Sequence, residues 1–244
     1  MEGYEPATYG DQIARIYDDL YSHMFDPEAQ TTLLAELAGR GPALELGVGT
    51  GRVALPLSER GVEVHGIDTS EAMVAKLRAK QGGGGIPVTT ADFADFDFDV
   101  TFSLVYVVFN TLFALRTQEE QVSCFAAVAR HLRSGGRFLV EAFVPDPARF
   151  DRDQRTHVAD VGLERVELEA SRHDGARQEV VSQHVVLTQE GTFLYPVTIR
   201  YAWPSELDLM ARLAGLALEG RWGGWHKEAF GSASSTHVTV YLKP

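Results

Sequence analysis

The first 145 residues alternate between two kinds of hydrophobic pattern. Short apolar runs have the length of strands buried on both faces. They are separated by segments in which apolar residues recur every three or four positions, as in amphipathic helices. Strands that alternate with helices predict a parallel sheet with helices on both faces. The expected strands begin at Ala43, Val62, Val88, Phe102 and Arg137.

A different pattern begins after Pro147, where apolar and polar residues alternate with a period of two. Three segments alternate in this way, at 161–170, 178–188 and 193–203. A turn signal at 174–175 separates the first two. This pattern predicts an antiparallel platform, inserted after the fifth strand.

The remaining chain resembles the first part in its pattern. Residues 205–216 are amphipathic, and residues 218–222 and 237–242 have the composition of two final strands. Together the elements predict an α/β fold: a Rossmann-like, seven-stranded, mostly parallel sheet with an antiparallel final strand, an inserted antiparallel platform and an N-terminal helical lid. We expect the lid at 1–30, a cofactor-binding domain at 31–145 and 204–244, and the platform at 146–203.

Composition and charge narrow the function classes. Lys and Arg number 22 against 34 Asp and Glu, a net charge of −12, so we expect no nucleic-acid partner, which would need a basic surface. The single cysteine, Cys124, allows no internal disulfide, and the N-terminus lacks a signal-peptide pattern. We therefore expect a cytoplasmic protein with no membrane partner. The eight histidines form no metal-binding motif, so no metal site is expected.

The turn after the first strand carries the most specific chemical signal in the chain. The strand runs into Glu45, and Arg52 opens the following helix. Between them lie Gly47, Gly49 and Gly51, which let backbone N–H groups approach a nucleoside-bearing ligand. A dinucleotide fingerprint, G-x-G-x-x-G, would need its third glycine at the position of Arg52. This spacing argues against a nicotinamide-dependent oxidoreductase, which stays the alternative enzyme class.

An acid followed by glycines at every second position resembles motif I of class I S-adenosylmethionine-dependent methyltransferases. Three further segments follow in the order of that family: the acid Asp68 at the end of the second strand, the pair Asp92-Phe93, and a buried fourth strand. The resemblance covers about residues 9–145 and implies S-adenosylmethionine as the cofactor. Asp68, about 20 residues past the first glycine, is placed to accept both ribose hydroxyls.

The resemblance also implies the other cofactor contacts. Glu45 is expected to attract the α-amino group, and Arg52 either binds the methionyl carboxylate or is exposed to solvent. Asp92 and Phe93 correspond to the acid and aromatic residue that meet the adenine, although Phe93 and Met73 also suit ordinary core packing. The expected cofactor-binding residues are Tyr9, Glu45, Gly47, Gly49, Arg52, Asp68, Thr69, Met73, Asp92, Phe93 and Val108.

A closer likeness precedes the first strand. The segment Tyr9-Gly-Asp-Gln-Ile-Ala-Arg-Ile-Tyr17-Asp18 is similar to the first helix of the sugar N-methyltransferases of antibiotic pathways, in which the tyrosine at the position of Tyr9 closes over the cofactor. Two features depart from that family. No histidine follows the fourth strand, and Phe102-Ser103 stands where the family often has Phe-Asp. We therefore expect a small-molecule acceptor, a secondary metabolite, without carrying over the aminosugar.

The acceptor side is predicted from position and residue type. Side chains beyond the ends of the fourth and fifth strands lie at the edge where ligands bind in open α/β sheets. Aromatic residues of the platform and of the last hairpin would form an apolar wall over that edge. The expected acceptor-binding residues are Tyr17, Asn110, Phe143, Tyr201, Trp203 and Trp225, and the expected catalytic residues are Glu141 and, as a general base, His226.

These features favour methyl transfer from S-adenosylmethionine to a nitrogen or oxygen atom of a small molecule. The sulfonium methyl is already activated, so the protein needs mainly to align the reactants, which lowers the barrier by about 7–11 kcal/mol. N- and O-transfer both stay open, because no motif identifies a base. A non-methylating scaffold of the same fold, a cyclase or a regulator, is a further alternative, since fold does not settle function. A homodimer through the platform is also expected.

Overall fold

The computed structural model describes residues 1–21 and 26–244. No helix within these ranges has both the length and the apolar composition needed to cross a membrane. The helices are α1 (Thr8–Ile13), α2 (Tyr17–Tyr21), α3 (Pro27–Ala38), α4 (Ala54–Glu59), α5 (Glu71–Ala79), α6 (Gln118–His131) and α7 (Pro204–Leu213). The strands are β1 (Ala43–Leu46), β2 (Val64–Asp68), β3 (Val88–Thr90), β4 (Phe102–Val107), β5 (Leu132–Phe143), β6 (Gln154–Val161), β7 (Arg165–Asp174), β8 (Glu179–Thr188), β9 (Gly191–Arg200), β10 (Ala217–Trp222) and β11 (Thr236–Leu242).

Seven of the described strands form one sheet in the order β10-β11-β5-β4-β1-β2-β3. Strands β1 to β5 pair in parallel, and β11 runs antiparallel to both of its neighbours. The predicted Rossmann-like sheet with an antiparallel final strand is therefore confirmed. The strand order reverses between β1 and β4, and the carboxyl ends at such a switch point form a crevice for ligands.

The two faces of the sheet are covered by different helices. Leu44 and Val105 pack in one apolar cluster with residues of α6 and α7. Their chain neighbours Ala43 and Leu104 belong to a second cluster with residues of α3 and α4. Because successive side chains of a strand point to opposite faces, the clusters are the two buried faces of one sheet. This explains why β1 and β4 are buried at every position, as their apolar runs predict.

The platform is a separate antiparallel sheet in the order β6-β7-β8-β9. The predicted platform is confirmed, but the sequence pattern gave three strands and the described structure has four. The missed strand, β6, is exposed at seven of its eight positions, so it carries no buried face and no alternating pattern. Val161, expected to begin the first platform strand, instead ends β6, and β7 begins at Arg165.

A largely buried ion pair joins the platform to the helices that cover the main sheet. Arg200, the last residue of β9, donates to Gln121 Oε1 of α6 at 2.6 Å and to Glu206 Oε1 of α7 at 2.7 Å. The Gln121 side-chain amide in turn donates to the Arg200 carbonyl oxygen at 2.8 Å. Charged groups that are desolvated together are costly to separate. The end of the platform is therefore held firmly against the helices that cover the sheet.

The N-terminal helices are attached to the loops at the carboxyl edge of the sheet. Asp18 of α2 accepts a hydrogen bond from Thr50 Oγ1 at 2.6 Å and pairs with Lys80 at 2.7 Å. Asp11 of α1 accepts one from Ser70 Oγ at 2.6 Å. Ser70 is also the N-cap of α5, where its side chain accepts from the Met73 N–H. These contacts place α1 and α2 over the carboxyl edge.

Candidate active site

A cavity of about 540 Å³ lies at the carboxyl edge of the parallel strands. Residues that follow β1, β2, β4 and β5 form one side, and the N-terminal helices and the inward face of the platform form the others. Its lining brings together the expected cofactor residues Tyr9, Gly47, Gly49, Asp68, Thr69, Met73 and Phe93 with the expected acceptor residues Tyr17, Asn110, Phe143 and Tyr201.

The glycine loop after β1 needs the conformations that glycine allows. Gly47 and Gly49 have φ of +70° and +54°, a region that other residues rarely adopt. A Cβ on Gly47 would lie 2.4 Å from Thr111 Cγ2. A Cβ on Gly49, which lines the cavity, would meet only the Gly47 carbonyl oxygen, at 3.9 Å. The two glycines therefore keep the backbone close to the cavity.

Asp68 ends β2 beside this loop, with its carboxylate held by backbone donors. The Gly49 N–H donates to Oδ2 at 2.7 Å, and the Ser70 N–H donates to Oδ1 at 2.8 Å. Burial raises the pKa of Asp68, and these N–H groups oppose that effect. Each carboxylate oxygen has two lone pairs, so Asp68 can still accept hydrogen bonds from a ligand in the cavity.

The residues expected at the adenine divide into two groups. Met73 and Phe93 are nearly buried, yet both line the cavity, as does Thr69. Asp92 precedes Phe93 and does not line it; its carboxylate accepts from the Ala94 N–H at 2.8 Å and shapes the loop. Val108 lies in the apolar core behind the site. The structure thus gives Asp92 and Val108 supporting positions outside the cavity.

Glu45 lies beneath the glycine loop and is buried. The Tyr106 hydroxyl donates to its Oε2 at 3.0 Å. Burial raises the pKa of Glu45 to about 8, while Tyr106 and the Arg52 guanidinium work in the opposite direction. Near neutral pH this carboxyl is therefore mostly protonated in the absence of a ligand. A cationic ligand group placed beside it would favour the carboxylate.

Arg52 and Glu141 lie under the loop that follows β4. The Arg52 guanidinium lies 5.5 Å from the centre of the Phe109 ring and donates to Gln30 Oε1 at 3.2 Å. Glu141 accepts a hydrogen bond from the Phe109 N–H, and burial raises the pKa of Glu141. Neither Arg52 nor Glu141 lines the cavity. The geometry gives Glu141, expected to be catalytic, the role of holding this loop.

Asn110 fixes the same loop from the other side. Phe109 and Asn110 both have positive φ, 57° and 63°, which is uncommon for residues other than glycine. The Asn110 Oδ1 accepts from the Phe143 N–H at 2.7 Å and so ties the loop to the end of β5. The rings of Phe109 and Phe143 face the cavity as a result.

Three tyrosines of the N-terminal helices enclose the cavity. The Tyr9 and Tyr21 hydroxyls are 3.0 Å apart, and the ring of Tyr21 contacts the rings of Tyr17 and Phe109 edge to face. Burial raises the pKa of Tyr9 and Tyr21, and it raises that of Tyr17 to about 12 despite the opposing charge of Arg52. The three phenols are therefore neutral at physiological pH and act as hydrogen-bonding groups.

The platform contributes polar residues that the sequence pattern did not identify. Glu169 and His173 on β7 and His184 on β8 line the cavity. The His173 Nε2 lies 3.0 Å from the Tyr201 hydroxyl, and the His173 ring stacks on Phe150 at 4.6 Å. A polar residue at every second position of a strand usually indicates a solvent-facing side. Only the fold shows that this side faces a cavity.

Three further expected residues, all on the acceptor side, lie away from the cavity. Trp203 precedes α7, is 40% exposed and does not line the cavity; its ring meets the ring of Tyr201 edge to face, with centroids 6.4 Å apart. Trp225 and His226 line a different groove of about 350 Å³. The His226 Nε2 lies 3.2 Å from Asp26 Oδ2, on an exposed surface. The last hairpin directs its loop towards α3, so His226 is not placed to act as a base in the cavity.

The residues at the carboxyl edge fit S-adenosylmethionine. The open space above Gly49 admits a ligand close to the backbone, and Asp68 offers acceptors for a pair of hydroxyls. Glu45 lies beneath the same loop without lining the cavity, and an α-ammonium group placed beside it would favour its carboxylate form. Within residues 1–21 and 26–244, no three His, Cys, Asp or Glu side chains are grouped as a metal site.

Comparisons with known proteins agree with this site. Residues 43–136 match the methyltransferase domain family. The cypemycin N-terminal methyltransferase of a Streptomyces species is 32% identical over 249 positions, which cover 98% of each chain. The solved structure of the CcbJ methyltransferase from Streptomyces caelestis is 40% identical, with a TM-score of 0.91 over 98% of this chain and 99% of that one.

A more distant structure shares the fold. CalS10, an amino pentose methyltransferase from Micromonospora echinaspora solved with S-adenosylmethionine bound, is 21% identical, with a TM-score of 0.74 over 94% of this chain and 97% of that one. The fold is thus common to the compared structures, whereas the similarity to the cypemycin enzyme extends over the whole sequence. With the glycine loop and Asp68 at the carboxyl edge, this similarity shows that the chain belongs to the class I S-adenosylmethionine-dependent methyltransferases.

Proposed function

We propose that the protein methylates an amine nitrogen of a small natural product. The observation that carries the proposal is one cavity that joins the cofactor residues of the sheet to a platform face bearing the carboxylate of Glu169. The relative that is similar over its full length is named as an N-terminal methyltransferase, which also favours nitrogen as the acceptor. The sequence left N- and O-transfer open, and this cavity favours the first.

The chemistry of an amine acceptor matches the groups that the cavity offers. The bound cofactor supplies an activated sulfonium methyl. The amine lone pair forms the new N–C bond as the S–C bond breaks, and the nitrogen then loses a proton to solvent or to a nearby acceptor. A neutral amine needs no strong base for the attack itself, so alignment and exclusion of water are the main tasks of the protein.

The N-terminal tyrosines are suited to both tasks. Tyr9, Tyr17 and Tyr21 cover the cavity with their rings, and the neutral hydroxyls of Tyr9 and Tyr21 offer acceptor lone pairs to an amine N–H. We propose that this segment, with the boundaries 1–30, acts as a lid over the cofactor and that Tyr9 and Tyr17 orient the acceptor. Asn110, Phe143 and Tyr201 complete the acceptor side of the site.

O-transfer has less support from the geometry of His173 and His226. A hydroxyl acceptor usually needs a general base within hydrogen-bond reach. The ring of His173 lies between Phe150 and Tyr201 and already contacts the Tyr201 hydroxyl. His226 lies in the separate groove beside α3. The proposal therefore favours a neutral amine, whose nitrogen is nucleophilic without being deprotonated first.

The test uses matched acceptors that differ in one atom. Purified protein is incubated with S-adenosylmethionine and with pairs of primary amines and alcohols of the same carbon skeleton. We expect S-adenosylhomocysteine and a mass gain of one methyl group on the amine member of a pair. Methylation of the alcohol members alone would overturn the assignment to nitrogen, while calorimetry with S-adenosylhomocysteine checks that the protein used is active in binding.

Two finer expectations stay predictions. A homodimer through the platform is supported by exposed apolar side chains at Val158, Val161 and Leu163, along and just after the edge strand β6. An exposed strand edge is a common site of pairing between chains. The cytoplasmic location rests on the single thiol of Cys124, which is buried and not in a disulfide.

A further inference from the structure

The inward face of the platform holds an acid that binding of the cofactor does not require. Glu169 lies in the middle of β7, lines the cavity, and has a side chain that is 19% exposed. His184, opposite it on β8, and Ser171, two positions along β7, share the same face. The acid is therefore part of the wall that faces an acceptor.

One oxygen of this carboxylate is held, and the other is accessible to a ligand. Oε1 accepts from Ser171 Oγ at 2.7 Å and lies 3.8 Å from the Arg149 guanidinium. Ser171 is itself fixed by Ser182, at 2.9 Å between the two hydroxyl oxygens. In the described part of the chain, no group donates a hydrogen bond to Oε2 of Glu169. The side chain is thus oriented with one acceptor oxygen unused.

Glu169 is also ionised at physiological pH. Burial works to raise the pKa of Glu169, but the Ser171 hydroxyl and the charges of His184, Arg149 and Arg155 hold it below its usual value. A carboxylate with a lowered pKa is a weak base. The Glu169 carboxylate is therefore suited to bind a cation in the cavity by electrostatic attraction, and not to remove a proton from a ligand.

The charges around the acceptor half favour the same sign of ligand. Arg149 is the only lysine or arginine among the described residues that line the cavity, and its guanidinium lies 5.2 Å from the centre of the Phe150 ring and 3.8 Å from Glu169. Asp146 adds a second acid at the same side. Phosphate recognition normally uses several cationic groups or backbone N–H groups converging on one point.

We propose that Glu169 determines acceptor specificity by binding, through Oε2, an ammonium group of the acceptor other than the neutral nitrogen that is methylated, and that the acidic wall disfavours acceptors bearing a phosphate group. This inference rests on the proposed function, because it names the charge class of acceptor that the same cavity takes. The proposed charge preference distinguishes amine acceptors that lack a phosphate group from acceptors that are attached to a phosphate or diphosphate. Glu169 acts by contact with the acceptor and has no part in the cofactor site.

Binding of three aromatic probes to the complex with S-adenosylhomocysteine tests the inference. Phenethylamine is cationic, phenethyl alcohol is its neutral isostere, and phenyl phosphate is anionic. We expect phenethylamine to bind roughly tenfold more tightly than the alcohol, the order expected of a charge-assisted hydrogen bond. Phenyl phosphate should not compete with phenethylamine. Equal binding of the amine and the alcohol, or competition by phenyl phosphate, would overturn the inference without any variant being made.

Two variants then assign the preference to one side chain. Glu169→Gln should reduce the preference for phenethylamine to less than about twofold and leave affinity for S-adenosylhomocysteine unchanged. Glu167→Gln is the matched control: Glu167 lies on the same strand, pairs with Arg165 and does not line the cavity, so the preference should persist. A preference that survives in Glu169→Gln would refute the role of Glu169.

The same series separates this inference from the proposed function. Calorimetry of S-adenosylhomocysteine precedes every probe measurement, so a protein that fails to bind it contradicts the cofactor site itself. Normal binding of S-adenosylhomocysteine with no preference among the probes contradicts the role of Glu169 alone.

Discussion

The two halves of the cavity are built by different means. On the sheet side, ligand-facing geometry comes from the main chain: glycines with positive φ, and backbone N–H groups that hold Asp68. On the platform side it comes from side chains such as Glu169 and His173, which alternate along one strand. A site made of backbone cannot change without disturbing β1 and β2, whereas a strand side chain can be exchanged in place. On the proposal above, the cofactor is bound by the part of the site made of backbone, and the acceptor by the part made of exchangeable side chains.

The largest effect is expected on the sheet side of the cavity, from removing the Asp68 carboxylate that backbone N–H groups hold in place. Asp68→Ala should weaken binding of S-adenosylhomocysteine by roughly tenfold to hundredfold, since about 1.5–3 kcal/mol of charge-assisted hydrogen bonding is lost. Calorimetry measures the change. Asp95→Ala is the control, because Asp95 is a surface acid paired with Arg130 and should leave affinity within about twofold. Normal affinity in a folded Asp68→Ala protein would remove Asp68 from the site.

A second test uses the buried acid beneath the glycine loop. The folded-state pKa of Glu45, about 8, lies above its usual value because the side chain is buried. The protonated Glu45 carboxyl contributes to the free energy of unfolding, and this contribution is fully present at pH values below the pKa that Glu45 has in the unfolded chain. The contribution is lost as the pH rises through the folded-state pKa of about 8. The slope is at most about 1.4 kcal/mol per pH unit.

Glu45→Gln should therefore flatten the loss of thermal stability between pH 5 and pH 8, since glutamine does not ionise. The same variant should bind S-adenosylhomocysteine about tenfold more weakly, because a carboxylate is the better partner for an α-ammonium group. Thermal melts across pH and calorimetry give the two readouts. Identical pH profiles in the variant and the parent protein would show that Glu45 does not titrate in this range.

The smallest effect is expected from a substitution that lies outside both halves of the cavity. His226→Ala should change kcat, KM and cofactor affinity by less than about twofold, because His226 lies on the surface beside Asp26 and an exposed pair contributes little. Steady-state kinetics with an amine that the protein accepts as a substrate measures kcat and KM. A large fall in kcat that is restored at high pH would instead identify His226 as a base and bring the last hairpin into the site.

The parts of the site that the sequence predicted are those encoded locally. Three glycines and an acid at fixed intervals define one strand–turn–helix, and the next strand end supplies Asp68, so their meeting follows from parallel pairing of β1 and β2. Tyr9 and Tyr17 were reached through a family resemblance and line the same cavity. The antiparallel platform followed from period-two alternation, except for the exposed edge strand β6.

The parts that the sequence missed depend on how distant segments face each other. Glu169 and His173 look like the solvent side of a strand until the platform is folded over the sheet. The direction of the last hairpin loop is fixed by tertiary pairing of β10 and β11, so no local signal showed that Trp225 and His226 face α3. Glu141, expected just beyond the fifth strand, lies inside β5, two residues before its end, and its carboxylate accepts the Phe109 N–H.

The connectivity of the platform has a consequence for how this enzyme can diversify. The four strands form one continuous stretch of chain that leaves the sheet after β5 and rejoins it at α7, and Arg200 fastens its far end through Gln121 and Glu206. The cofactor residues, by contrast, are collected from many separate segments. Exchange of a single gene segment therefore replaces most of the platform wall while leaving Asp68 and the glycine loop intact. If the platform binds the acceptor as proposed, acceptor range is inherited in one continuous segment of the chain, separately from the residues that bind the cofactor.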